Sequence, residues 1–279
     1  MPELGKPRYG QVDYDYAETL ATTPPEDDGP VWMINLMHYR EQADYGDGSG
    51  GGISGREADD RYAPFGPLAA IGAEIVFVAD VDAQLLGDEP KWDRVAIVKY
   101  PTRRSFIDMQ SRPDFKEKHV HKDAGMASTI VMGGIPFAPP SQPAEIAEVP
   151  WDRLPHPPTA DDPSVVVLHV LSFEDPEALG ETPDEMEAYT SHAVKVAAAH
   201  GVRVPAWFGV EGTIVGDGRV WHQARFNAFP SKEAFMAVVL DPDRLKVQAE
   251  HREVALADTY TMILRPVIDR LAESVAWSS

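Results

Sequence analysis

The chain has 279 residues, room for one or two domains. Acidic residues outnumber basic ones by 45 to 25, a formal charge of −20 that argues against general binding to nucleic acid or to anionic membrane surfaces. A hydrophobic content of 43% excludes disorder over the whole length, and the absence of cysteine excludes disulfides, a thiol nucleophile, thiolate zinc sites and cysteine-ligated iron–sulfur clusters.

Residues 1–30 show little periodicity and read as an N-terminal extension, with no basic patch and apolar run to mark a signal peptide. No apolar stretch approaches the roughly 18–20 residues of a membrane span, so a soluble, cytoplasmic protein is expected. The apolar run at 31–38 has strand length and leads into the glycine-rich stretch 46–55, read as a mobile lid. Ser54 is placed to cap a helix running from 55 toward Ile71, which Pro64 and Pro67 kink or break. Two β-rich runs follow, AEIVFVADV and DRVAIVKY, separated by GDEP. Thr102 caps a second helix, Pro113 restarts it, and ASTIVM is the last strand of this set.

Between 136 and 163 there are nine prolines in 28 residues, which predicts an extended linker wrapping the surface. The same order of elements then returns: a strand at VVVLHVLS, a helix over 183–200, a strand at VPAWFGVEGTIV and a turn at 216–218. A strand at VWHQARFNAF, a helix from Lys232 and a strand at DTYTMIL complete it. A closing helix is expected around 267–275.

The second set is a copy of the first. An offset of 129 pairs Gly72 with Gly201, Gly87 with Gly216, Asp88 with Asp217, Trp92 with Trp221 and Pro101 with Pro230. It also pairs Phe106 with Phe235, Pro113 with Pro242 and Asp114 with Asp243. One further residue of shift pairs His121 with His251, Ala127 with Ala257 and Thr129 with Thr259. These are eleven identities over 58 positions, where composition alone gives about three or four. The first strands align at offset 134. The expected organisation is thus an extension (1–30), a first unit (31–135), a linker (136–163), a second unit (164–265) and a C-terminal helix or tail (266–279).

Strand, helix, strand, strand, helix, strand is the ferredoxin-like βαββαβ order, whose bare sheet face needs a cover. Together with INLMHYREQADY (34–45), SGREADDRY (54–62), WDRVAIVKYPTRRSF (92–106) and EHREVALADTYTMI (250–263), it resembles the dimeric α/β-barrel superfamily, and most closely an uncharacterised branch of it. The resemblance covers both copies and implies an α+β fold: two tandem ferredoxin-like units packed sheet to sheet as an intrachain dimeric α/β-barrel. It allows a homodimer of such chains. It also implies a menu of activities: cofactor-free cyclases and monooxygenases, isomerases, lyases, tandem haem enzymes, and proteins without known activity.

Strand alternation sorts the polar residues by face. Asn35 in copy one and His169 in copy two take the same position in their first strands, each between apolar neighbours. Only two asparagines occur, Asn35 and Asn227, both mid-strand where Asn is disfavoured. Each marks a polar cavity or ligand, or else a paired core amide. On the third strand of copy two, Trp221, Gln223, Arg225, Asn227 and Phe229 share a face, and a mid-strand Arg225 needs a carboxylate, a ligand anion or a wet cavity. Glu185, Tyr189 and His192 fall at i, i+4 and i+7 on one helix face, where Tyr and His can serve as acid and base. The pairs His121-Lys122 and His251-Arg252 are given a structural job, capping helix carbonyls. His119 with His121 is a weak metal motif at a helix end.

The leading expectation is a cofactor-independent lyase, isomerase or cyclase acting on a small aromatic or carbonyl-bearing molecule. His169 or His192 would be the base, Tyr189 the acid and Arg225 the anion holder. Asn35, Asn227, Gln223, Trp207 and Trp221 would bind substrate. Neither cofactor nor metal is expected; haem or a transition metal on a copy-two histidine, and a non-catalytic small-molecule binder, are the alternatives.

Overall fold

A computed structural model describes residues 7–48, 51–139 and 149–275. Ser49 and Gly50 of the glycine-rich stretch, residues 140–148 of the linker and the last four residues of the tail lie outside the described residues. The fold is mixed α+β and divides into two compact units. The first comprises Met1–Val78, Glu89–Ile135 and Gly212–Arg219; the second comprises Ala79–Asp88, Pro136–Glu211 and Val220–Ser279.

The elements of the first unit begin earlier than the sequence suggests. Within the supposed extension, β1 (Gln11–Val12) leads into α1 (Tyr14–Thr22), capped by Asp13, whose side chain accepts from the Asp15 and Tyr16 amides. Tyr16, Ala17 and Leu20 of this helix are part of the unit's core, with Val31, Met33, Leu68, Phe106 and Phe115. Residues 7–22 are therefore structural, not an appendage. The short helix escaped the sequence reading because it buries a narrow stripe of three residues.

Next come β2 (Val31–Tyr39), α2 (Gly55–Tyr62), α3 (Phe65–Ala70) and β3 (Glu74–Leu86). Ser54 and Glu57 form the capping box of α2, and the helix breaks at Ala63-Pro64 as its prolines require. β4 (Arg94–Tyr100), α4 (Arg103–Ser111), α5 (Pro113–Gly125) and β5 (Met126–Pro136) complete the copy. Its strands stand as β5, β2, β4, β3, with Asn35 of β2 between Val131 and Ala96.

Copy two repeats this order as β6 (Val165–Phe173), α6 (Asp184–Ala199), β7 (Arg203–Gly216) and β8 (Gln223–Phe229). Its second helical layer is α7 (Lys232–Val239), α8 (Pro242–Val247), a π-helical turn (Gln248–Arg252) and α9 (Glu253–Ala255). β9 (Leu256–Asp269) and α10 (Leu271–Ser274) follow. The closing helix is thus one turn; the strand ladder claims the chain as far as Asp269. The strand order is β9, β6, β8, β7, and His169 of β6 lies between Thr261 and Arg225.

Two features of the duplication emerge only in three dimensions. Asp28 and Asp162, related by the same 134-residue offset as the first strands, each cap the second helical layer of their copy. Asp28 accepts from the amides of Arg103 and Arg104, and Asp162 from those of Lys232 and Glu233. The second feature is an exchange of strand ends: residues 79–86 of β3 belong to the second unit, and residues 212–216 of β7 to the first. The compact units therefore differ from the repeat boundaries 31–135 and 164–265 by these exchanged ends and by taking in the segments 1–30, 136–163 and 266–279.

In the linker, Trp151 donates its Nε1–H to Gly201 O at 2.8 Å and carries the Arg203 guanidinium 4.4 Å above its ring. Within the first unit, an added Cβ at Gly212 would run into the Tyr16 ring. Gly212→Ala is expected to cost about 1–3 kcal/mol by overpacking and to lower the melting temperature. Tyr16→Leu in the same chain should recover part of the loss; calorimetry that finds Gly212→Ala neutral contradicts this packing.

Candidate functional site

The second unit contains a cavity of about 350 Å³. Its walls are mostly apolar, including Met186, Val194, Ala197, Phe229, Phe235 and Val238. Its polar lining is Tyr189, Thr190, His169, Thr261, Arg225, Asn227, Arg244, Gln248 and Arg252. Among the described residues no Asp or Glu lines it. In a chain of net charge −20, three arginines around an acid-free cavity form a local reversal of charge.

Arg225 is the most deeply buried of the three. Strand alternation on β8 turns Gln223, Arg225, Asn227 and Phe229 to one face, as the sequence pattern requires. The guanidinium is held from three sides: Nε donates to Gln223 Oε1 at 2.8 Å, Nη1 to Thr190 Oγ1 at 2.9 Å, and its plane lies 4.3 Å over the Trp207 ring. Nη2 is buried with no partner, and the residue is 4% exposed. Burial, then the neighbouring Arg252 charge, push its pKa down to about 9, which leaves it a cation at neutral pH.

The neighbours are oriented with the same economy. Gln223 is itself fixed, its Nε2 donating to Glu181 O and Thr182 Oγ1. Asn227 Oδ1 accepts from Trp207 Nε1 at 3.1 Å, so its amide NH₂ remains as a donor. Tyr189 accepts from Arg244 Nη1 at 2.9 Å and keeps its own hydroxyl proton to donate. Arg244 Nη1 also donates to Gln248 Oε1, and its Nε and Nη2 donate to Val238 O and Val239 O, binding α7 to α8. Its job is structural.

His169 faces the same cavity, Nδ1 paired with Thr261 Oγ1 at 3.0 Å. Burial first, then the charges of Arg252, Arg225 and Arg244, push its pKa down to about 3. It is a neutral imidazole at physiological pH. That makes it a weak general base, because efficient bases titrate near the working pH.

The expected site residues separate accordingly. His169, Tyr189, Arg225, Asn227 and Trp207 line the cavity; Gln223 stands behind Arg225 and positions it. His192, Trp221 and Asn35 are absent from the lining. On α6 the cavity-facing stripe is Met186, Tyr189, Thr190, Ala193, Val194 and Ala197, and at about 100° per residue His192 points some 130° from its centre. Trp221 stacks on Tyr260 at 5.3 Å. Asn35 belongs to the first unit, where its Oδ1 accepts from Lys122 Nζ at 3.3 Å.

Arg252 was missed. It and Lys122 do not cap helix carbonyls: Arg252 Nη2 donates to Thr259 Oγ1 and Lys122 to Asn35. The H-x-H pair is likewise engaged, His119 with Tyr9 and His121 with Tyr45. Among the described residues no group of three His, Asp or Glu side chains is arranged to hold a metal, and no helix is long and apolar enough to cross a membrane.

No protein-family model and no curated protein matches the chain. Similar solved structures include a protein of unknown function from Rhodopseudomonas palustris, 24% identical, TM-score 0.41, covering 47% of this chain and 98% of that one. A candidate monooxygenase from Lactobacillus acidophilus is 15% identical, TM-score 0.39, covering 85% and 94%. A chlorite dismutase mutant from Candidatus Nitrospira defluvii is 13% identical, TM-score 0.45, covering 93% and 98%. At TM-scores below 0.5 these likenesses assign no activity to this chain. The expectation of a cofactor-free site is nonetheless corrected, since chlorite dismutases, which are haem-binding, stand among the similar structures. Nor do they favour lyase or isomerase chemistry.

A buried neutral histidine links stability to pH. Its depressed folded pKa means that acid favours the unfolded chain, so the stability present above about pH 6.5 is lost as pH falls toward 3. The share from His169 is about 1.4 kcal/mol per pH unit for one proton. Chemical unfolding at pH 4 to 7 should show this slope reduced in His169→Gln; an unchanged slope contradicts the buried neutral imidazole.

Proposed function

We propose that the chain is an enzyme whose chemistry takes place in the cavity of the second unit, around an organic anion with an apolar body. One observation carries this reading: Arg225 is a buried cation with an unpartnered nitrogen and no carboxylate beside it. Such a charge costs the fold several kcal/mol, and an anionic ligand supplies the missing partner. The other free groups agree, since Tyr189 and Asn227 both present donors to the same space. A cavity lined by donors and cations is suited to hold a carboxylate or to stabilise negative charge developing on oxygen. We read the two copies as tandem ferredoxin-like units on their shared strand order. A cytoplasmic setting is proposed on the acidic, cysteine-free composition.

Haem belongs to the same ligand chemistry, an apolar macrocycle bearing carboxylates, and His169 specifically favours it. The donor set fits: the imidazole is neutral, its Nδ1 is fixed by Thr261, and its Nε2 has no protein partner among the described residues. A ligating histidine is oriented in this way by the bond its other nitrogen makes. His169 would hold the iron, and Arg225 and Arg252 the carboxylates. Bound haem would supply redox chemistry at its iron. The residues around it would exclude water and present donors from Tyr189 and Asn227.

Titration of the full chain with hemin separates the two sources of this chemistry. A saturable Soret shift that His169→Ala alters and Arg225→Met weakens supports haem. If no saturable shift develops, haem is removed and a small organic acid remains as the ligand. Tight binding of such an acid with no turnover would make the chain a binding protein and overturn the enzyme reading.

A further inference from the structure

The copies align at one offset as far as Asp114 and Asp243, and at an offset one residue larger from His121 and His251 onward. Copy two therefore holds one extra residue between Asp243 and His251. In copy one the matching stretch is the unbroken helix α5, Pro113–Gly125. In copy two it is α8, then the π turn Gln248–Arg252, then α9. A π turn closes over five residues where an α turn closes over four, so it is where a helix takes in one more residue, often at functional sites.

Arg252 ends that turn, at the position of Lys122 in copy one. The two cations differ in what surrounds them. Lys122 is buried, donates to Asn35 Oδ1 and lies 5.5 Å from the centre of the Tyr62 ring. In copy two the position of Asn35 is taken by His169, whose Nδ1 is engaged with Thr261. Arg252 is buried as well, yet its one hydrogen bond is from Nη2 to Thr259 Oγ1 at 3.3 Å. Among the described residues this is its one hydrogen bond, and it lines the cavity with Arg225. Arg252 lies near enough to Arg225 that its charge, after burial, helps to lower that group's pKa.

We propose that Arg252, delivered into the cavity by the inserted residue, is the second arm of an anion clamp with Arg225, and that the clamp selects a carboxylate on an apolar body. The proposal rests on the cavity reading above and names its ligand class. Two guanidiniums can each donate to an oxygen of one planar carboxylate, and their paired charge favours that head over a neutral one of similar size. The walls formed by Met186, Val194, Ala197, Phe229, Phe235 and Val238 take the hydrocarbon.

Calorimetric titration of the full chain with octanoate and with 1-octanol tests it, the two probes sharing a body and differing in the charged head. Octanoate should bind at least about tenfold more tightly than octanol. Arg252→Gln should remove most of that preference and leave octanol binding unchanged, with Arg252→Lys recovering part of it. A melting temperature within a few degrees of the parent keeps these variants interpretable. If Arg225→Met abolishes the preference and Arg252→Gln does not, the cavity reading stands and the clamp falls. If octanoate fails to bind, or binds no better than octanol, both fall.

Discussion

A guanidinium enclosed by protein without a counter-charge is the constraint around which the second unit is organised. Arg225 is held by Gln223 Oε1, Thr190 Oγ1 and the Trp207 ring, and none of these neutralises it. Two of these helpers are in turn immobilised, Gln223 by Glu181 O and Thr182, Trp207 by Asn227. Dipoles and a ring face steady the charge but leave Nη2 unsatisfied. A sequence selected for stability alone would place an aliphatic side chain here, because a lone buried ion costs more than its hydrogen bonds return.

Copy one shows what that alternative looks like. Ala96 stands at the position of Arg225, and Val98 at that of Asn227. The cation retained nearby, Arg94, pairs with Asp59 at 3.4 Å and Asp60 at 3.0 Å, and Tyr39 donates to Asp59 at 2.7 Å. Lys122 is matched to Asn35. Copy one thus pairs its cation Arg94 with carboxylates, where copy two buries Arg225 with a nitrogen that has no partner among the described residues. Duplication lets the two requirements separate, with one unit free to keep its charges paired. The π turn fits this division, since it interrupts helix geometry only in the copy whose charges lack partners.

Much of this was legible in the sequence because strands impose a period of two. That period put Arg225 and Asn227 on one face of β8 and made His169 the counterpart of Asn35, and the registers of β6 with β8 and β9 agree. The prolines at 64 and 113 and the caps Ser54 and Thr102 act locally, so their effects were readable too. Helix faces were harder. Spacings of four and seven grouped Tyr189 and His192 with Glu185, but only packing in the folded unit fixes which stripe of α6 faces the cavity. Arg252 was visible as a repeated cation, and the one-residue slip beside it was its signal, without meaning until the π turn was seen. The exchange of the ends of β3 and β7 is a non-local pairing that no window of sequence reports.

Whether the charge on Arg225 is kept for a ligand and not for the fold is settled most directly by thermal unfolding of Arg225→Met with no ligand present. Methionine fills similar space and removes the buried ion, at the cost of freeing Gln223 Oε1 and Thr190 Oγ1. The expected result is a melting temperature equal to or above that of the parent, with anion binding lost. A melting temperature lower by ten degrees or more, about 3 kcal/mol or greater on the usual scale for chains of this size, would show that the guanidinium holds the fold together and would contradict the central claim.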